Sequence, residues 1–184
     1  MTGIIDTIHA DHRNYSVLLS MLNADIDNMN KGEKADFVRL YDIMNYMINY
    51  PDVKHHPAEE VIFERLEQKQ PEIKEEVAQL VEEHRQLAET GRALQEKLQQ
   101  VIGGGIVSKE SISDAARDYY ELLLNHLNFE EGKLLPLVKQ SFSDDDWQNI
   151  EVRLSEDEDP LFGKAINEQF TNLLQQISAH RNLN

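Results

Sequence analysis

Histidine and glutamate at particular helical positions are the side chains in this sequence whose types and spacing suggest chemistry. His12 sits between Ile8 and Tyr15, and His84 between Leu80 and Leu87. His126 follows Leu123, and Glu130 falls one helical turn later. Each interrupts a stripe that is otherwise apolar. One such His is usually a core residue with satisfied ring nitrogens. Three, with a carboxylate, are costly to bury unless they are paired or bind a metal. Imidazole and carboxylate without thiolate suit iron, and also manganese or zinc.

The spacing H-x-x-x-E occurs three times, as His55–Glu59, His56–Glu60 and His126–Glu130. Residues four apart share one helical face, about 6 Å apart along the axis, so either pair can grip one metal centre. Spacing alone leaves the choice between the two overlapping pairs open. The chain also repeats itself. Asp11-His12-Arg13 is echoed by Glu83-His84-Arg85, 72 residues on, and His56–Glu60 by His126–Glu130, 70 residues on. Two helical hairpins related by a pseudo-two-fold would bring together four His and two Glu, a set suited to two metals. With alternating helix directions and about 1.5 Å of rise per residue, the six candidates fall in a slab about 9 Å thick. Six side chains cannot fill two octahedral shells. Positions remain for a small ligand such as dioxygen.

Helices must carry these residues. Ile5, Ile8, His12, Tyr15, Leu19, Leu22, Ile26 and Met29 recur at spacings of three and four, which predicts an amphipathic helix ended by Asn30-Lys31-Gly32. A second runs from about Asp36, is broken or kinked at Tyr50-Pro51, and resumes to about Gln68. A third runs from Ile73 to Val101 and stops at Gly103-Gly104-Gly105; a fourth runs from about Ser108 to Leu137. The fold class is all-α: an up-down-up-down four-helix bundle over residues 1–140. Residues 141–184 read as a C-terminal helical extension. Ser143-Asp144-Asp145-Asp146 is an N-cap and acidic first turn leading into Trp147 and Ile150, and a last helix carries Ala165, Ile166, Phe170, Leu173, Leu174 and Ile177. This extension is expected to cap the bundle, with a homodimer contact as the alternative.

Composition narrows the function further. The 184 residues are enough for one domain with a core, and 40% hydrophobic residues argue against disorder. Cys is absent, which excludes disulfides, thiolate metal sites and a Cys nucleophile. The net charge of −16 repels nucleic acid and anionic lipid, so neither is an expected partner. No apolar stretch approaches the roughly 20 residues of a membrane span, and the start has no signal-peptide character, so a cytoplasmic protein is expected.

Taken together, the D/E-H-R, HHPAEE, E-H-R and H-L-N-F-E-E segments resemble the hemerythrin-like, HHE cation-binding domain family over about residues 4–140. Asp146-Trp147 and Asp159-Pro160-Leu161-Phe162-Gly163 resemble a tail found in some bacterial members. The resemblance implies a cofactor of two iron ions in an Fe–O–Fe type centre, with zinc or manganese as alternatives. It implies the metal ligands His12, His56, Glu60, His84, His126 and Glu130, the two Glu bridging. It also implies His56 over His55 and Glu60 over Glu59, leaving His9 and His55 as outer or surface neighbours. Oxygen-carrying hemerythrins have a fifth His four residues after the one on the third helix; here that position is Ala88. Four His and two Glu look more like the di-iron proteins of iron–sulfur cluster repair and nitric oxide stress. Those typically carry a Cys-bearing N-terminal segment, and this chain has no Cys.

The expected function is a non-haem di-iron protein that binds or reacts with dioxygen, peroxide or nitric oxide. Its rivals are an oxygen or iron sensor or store acting through a partner, a stress protein of the cluster-repair kind, and a structural metal site without turnover. Whether it is an enzyme stays open. Tyr15, one turn from His12, and Tyr119, two turns before His126, are candidates to hydrogen-bond a bound oxygen species or to donate an electron; the plainer alternative is a core aromatic role.

Overall fold

A computed structural model of the chain describes residues 3–154, 159–163 and 166–181. Every regular element among them is helical. The first, α1 (Gly3–Asn30), buries the stripe read from the sequence together with Asp11 and Asp25. Gly32 ends it in the left-handed region at φ 73°, where a side chain would be strained. Asp36 caps α2 (Phe37–Asn49), accepting a hydrogen bond from Arg39 N at 3.0 Å.

Pro51 does not stop the second helix. The chain continues through one π-helical turn, Pro51–His55, into α3 (His56–Lys69). Pro51 lacks an N–H and its ring crowds the preceding turn. The wider turn accommodates both, and His56 N–H bonds to Pro51 O. The third long helix, α4 (Lys74–Ile102), follows a short 3-10 turn over Pro71–Ile73. The fourth segment repeats the second: α5 (Lys109–Phe129), a π turn over Glu130–Leu134, then α6 (Leu135–Ser141). Two π turns, each beside clustered His and Glu, suit the known placement of such turns at functional sites.

The helices form a bundle in which α1 packs on α5, α2 on α4, and α4 on α5, with α3 against α4 and α6. Gly91 makes the α4 contact close: a Cβ there would lie 2.7 Å from Ile48 Cγ2. The core divides in two. One apolar cluster gathers Tyr15, Leu22, Met44, Met47, Leu87, Leu94 and Leu123; the other gathers Ile8, Ile62, Phe63, Leu66, Leu80, Leu134 and Leu135. Along every helical segment the buried His and Glu fall near the junction of the two clusters.

Beyond the bundle, α7 (Asp144–Glu151) begins at a capping box between Ser143 and Asp146 and contacts α3. Asp146 is paired with Arg65 at 2.6 Å and with Lys69. The last helix, α8 (Thr171–Arg181), starts later than the apolar pattern suggests, because Asn167 caps a 3-10 turn over Glu168–Phe170 ahead of it. Ala165 lies outside the described residues. Leu161, Phe170, Leu173 and Ile177 join the first apolar cluster, and α8 contacts α1 and α2. Among the described residues no helix is long and apolar enough to cross a membrane.

Candidate metal centre

Two groups of metal-competent donors meet in the middle of the bundle. His56, Glu59, His84 and His126 offer one ligand atom each within 4.8 Å of one another, and His12, His55 and Glu59 do the same. Glu59 belongs to both. Glu130 also reaches both: Oε2 lies 3.2 Å from His12 Nε2, and Oε1 lies 3.5 Å from His126 Nε2 and 3.9 Å from His84 Nε2. Glu59 and Glu130 are completely buried.

The structure brings together His12, His56, His84, His126 and Glu130 of the residues expected from the sequence. It places Glu60 differently. Its side chain is 47% exposed, and Oε1 accepts a hydrogen bond from His84 Nδ1 at 3.4 Å, on the outer edge of that ring. The carboxylate that faces the centre from this helix is Glu59, and the His at i−4 from it, His55, faces the centre too. His55 Nε2 lies 3.2 Å from Glu59 Oε1 and 3.1 Å from His12 Nε2. The reason is angular. Adjacent helical residues stand about 100° apart. His55 therefore faces α1 while His56 faces α4 and α5. Glu59 is i+4 from one and i+3 from the other, and lies between them; Glu60 falls outside that arc. Ala88 is half-buried and offers no donor. The additional imidazole in the cluster is His56, stacked on His84 with centroids 4.0 Å apart.

Outer carboxylates fix the imidazoles. His55 Nδ1 donates to Asp11 Oδ2 at 3.0 Å, His126 Nδ1 to Glu83 Oε2 at 3.1 Å, and His12 Nδ1 to Glu131 Oε1 at 2.7 Å. With Nδ1 holding the proton, Nε2 points its lone pair inward. This carboxylate–imidazole arrangement fixes the tautomer and raises ligand basicity at metal sites. Asp11, Glu83 and Glu131 were not among the expected residues, although each stands directly beside one in the chain. His9 is an outer neighbour, as expected: Nδ1 donates to Glu131 Oε1 at 2.8 Å, and Lys139 donates to Nε2 at 2.9 Å.

Protonation follows from this crowding. Burial alone would lower the pKa of His12, but Glu130 and Glu59 outweigh it and push it up to about 11. Burial is likewise overridden at His55, where Glu59 and Asp11 raise the value to about 9. His56 is held well below its usual value by burial and by His84. Glu59 is pulled well below the usual carboxylate range, against burial, by His55 and His12. Without a cation, a proton held between His12 Nε2 and His55 Nε2 offsets part of the buried carboxylate charge.

That offset is incomplete. Glu59 Oε2, both Glu130 carboxylate oxygens, His84 Nε2 and His126 Nε2 are buried without a hydrogen-bond partner. Each such atom costs roughly 1–3 kcal/mol, more when charged. Inward lone pairs and anionic oxygens with no donor are what a bound cation would satisfy, so this donor set fits metal ions.

Tyr15 is completely buried beside the centre, its ring 5.0 Å from His55 and its hydroxyl without a hydrogen-bond partner. With Met47, Leu87, Tyr119, Leu123 and Leu127 it walls one side of His55, His56 and His126, leaving no room there for a water-sized sphere. A separate groove of about 640 Å3 is lined in part by Asp11 and His55.

No curated protein and no solved structure matches the chain. The family model of the hemerythrin HHE cation-binding domain matches residues 3–138, a span that includes every His and Glu of the buried cluster. The chain belongs to the hemerythrin HHE cation-binding domain family.

Proposed function

We propose that this chain is a non-haem di-iron protein that binds or reacts with small oxidants: dioxygen, peroxide or nitric oxide. The observation that carries the reading is the pair of donor groups sharing Glu59, with orphaned inward atoms on Glu59, Glu130, His84 and His126. His12 and His55 would hold one ion, and His56, His84 and His126 the other, with Glu59 and Glu130 shared. Glu59 takes the bridging place that resemblance alone gave to Glu60. Imidazole and carboxylate without thiolate favour iron, with manganese or zinc as alternatives.

Bound iron would supply one-electron redox steps and a site for the small ligand. The chain's own residues set the surroundings. Asp11, Glu83 and Glu131 hold Nδ1 protons and orient the rings. Met47, Leu87, Leu123 and Leu127 exclude water from one side. The four long helical segments are read as an up-down-up-down bundle over residues 1–140, and residues 141–184 as a cap on it. The reading places the protein in the cytoplasm, with the oxidant as its partner.

Absorption spectroscopy on iron-loaded protein tests this. Near-ultraviolet charge-transfer absorption, and a new band on adding azide, are expected. Steady peroxide consumption would make the protein an enzyme; reversible bleaching without turnover would make it a binder. Tight binding of colourless zinc, with iron refused, would contradict the redox reading.

A further inference from the structure

Tyr46, on α2, is completely buried at the centre of an aromatic group. Its ring stands 6.3 Å from Tyr15, 5.6 Å from Tyr50, and 5.7 Å from both Phe162 and Phe170. Tyr15 in turn stands 5.0 Å from His55, edge to face. His55, Tyr15, Tyr46 and Tyr50 therefore form an unbroken series of ring contacts leading away from the His and Glu cluster.

The hydroxyls along this series differ. Tyr15 Oη has no hydrogen-bond partner, whereas Tyr46 Oη donates to Asp159 Oδ2 at 2.8 Å. The other carboxylate oxygen of Asp159 accepts from Leu161 N at 2.7 Å and Phe162 N at 2.9 Å, so the group is fixed toward the phenol. Burial raises Asp159 above the usual carboxylate range, which makes it a stronger base than an exposed one. A phenol that loses an electron becomes a strong acid. In an apolar surrounding it must pass its proton to a base at hand, because a buried unpaired cation is prohibitively costly. Tyr46 has that base; Tyr15 does not.

We propose that Tyr46 is a redox-active tyrosine serving the metal centre, with Tyr15 as the ring that joins them and Asp159 as the proton acceptor. The inference rests on the di-iron reading. Hydrogen peroxide takes up two electrons, and two protons from solvent water, and gives two waters, its O–O bond breaking. One electron comes from a ferrous ion, which becomes ferric. The other comes from Tyr46, whose O–H proton moves to Asp159 Oδ2, leaving a neutral phenoxyl radical. The residues after the bundle thereby gain a role: they supply the base, Asp159, and the covering rings, Phe162 and Phe170.

The test is electron paramagnetic resonance on part-reduced, iron-loaded protein frozen soon after mixing with hydrogen peroxide, with iron content measured on the same samples. A free-radical signal that narrows when the tyrosines are ring-deuterated is expected. Tyr46→Phe should lower it roughly tenfold or more, and Asp159→Asn, which keeps the Tyr46 ring but removes the base, should do the same. Tyr15→Phe should slow its appearance and leave its identity unchanged. Iron that is retained and oxidised with no tyrosine radical overturns the inference and leaves the di-iron reading intact. So does a signal of undiminished size in either the Tyr46 or the Asp159 variant. A chain that retains no iron overturns the di-iron reading, and this inference with it.

Discussion

Asp11 and His55 meet between α1 and the second helical segment, Asp11 Oδ2 accepting the His55 Nδ1 proton at 3.0 Å. The contact turns Nε2 of His55 toward Glu59, 3.2 Å away. It has a counterpart across the bundle, where Glu83 holds Nδ1 of His126. Asp11 and Glu83 each precede the His of their own helix, and each serves the His of the helix that follows.

If these carboxylates act by orienting imidazoles, Asp11→Asn should leave the fold intact and weaken metal binding by about 10–100-fold. Competition with a chelator of known affinity measures this, and circular dichroism checks the fold. Unchanged metal affinity would reduce the Asp11–His55 contact to a packing interaction.

Adjacent glutamates should behave differently. Glu59→Gln should abolish loading at both ions, because Glu59 belongs to both donor groups. Glu60→Gln should keep both ions and lower affinity modestly, since Glu60 touches only the outer edge of His84. Iron content of the two purified variants decides. Loss of iron in Glu60→Gln with retention in Glu59→Gln would restore the assignment read from resemblance.

Metal uptake should release protons. In the metal-free chain the buried carboxylates raise the pKa of His12 to about 11 and of His55 to about 9, and their Nε2 atoms, 3.1 Å apart, hold a proton between them at neutral pH. As ligands both must offer Nε2 unprotonated, so loading at pH 7 displaces this proton and apparent affinity rises with pH through this range. Calorimetry in buffers of different ionisation enthalpy counts the protons released. The same shifts set a sign for stability. A raised folded-state pKa gives the metal-free protein a contribution that is complete below about pH 6.5 and lost as pH climbs toward the folded values. Its unfolding midpoint should therefore fall on raising the pH from 7 to 10.

Asp146 attaches α7 to α3 through Lys69 and Arg65 and closes the capping box with Ser143. Lys69, then Ser143 and Arg65, hold its carboxyl well below the usual range. Asp146→Asn should cost about 2 kcal/mol, the scale of a hydrogen bond to a charged group. Because the folded pKa is depressed, the contribution is present above about pH 4 and is lost as pH falls through the lowered value. Urea unfolding of both proteins at pH 7 and at low pH should give a difference that narrows on acidification.

Much of this was legible in the sequence. The stripe from Ile5 to Met29, the stop at Gly103 and the N-cap at Ser143 rest on short-range rules, and they mark elements found in the fold. The choice between His55–Glu59 and His56–Glu60 depends on the angle at which a helix enters the bundle, and the Pro51–His55 π turn adjusts that angle. A signal was nonetheless present. His55-x-x-x-Glu59-Glu60 aligns with His126-x-x-x-Glu130-Glu131 at a constant offset of 71 residues, close to the 72 between His12 and His84. In that frame the outer contacts correspond as well, with Glu131 on His12 and Glu60 on His84. His56 is the residue without a counterpart, since Leu127 stands at the matching place. That break in symmetry supplies the extra imidazole. Asp159 on Tyr46 had no comparable signal, because 113 residues separate them and no local rule links them.

The central claim is that the buried His and Glu hold two ions, not one. Metal analysis of protein expressed with ample iron, paired with quantitative amino-acid analysis, measures it most directly. The account predicts close to two irons per chain, falling to near zero in Glu59→Gln. A reproducible value of one in the wild type, or iron content untouched by Glu59→Gln, would contradict it.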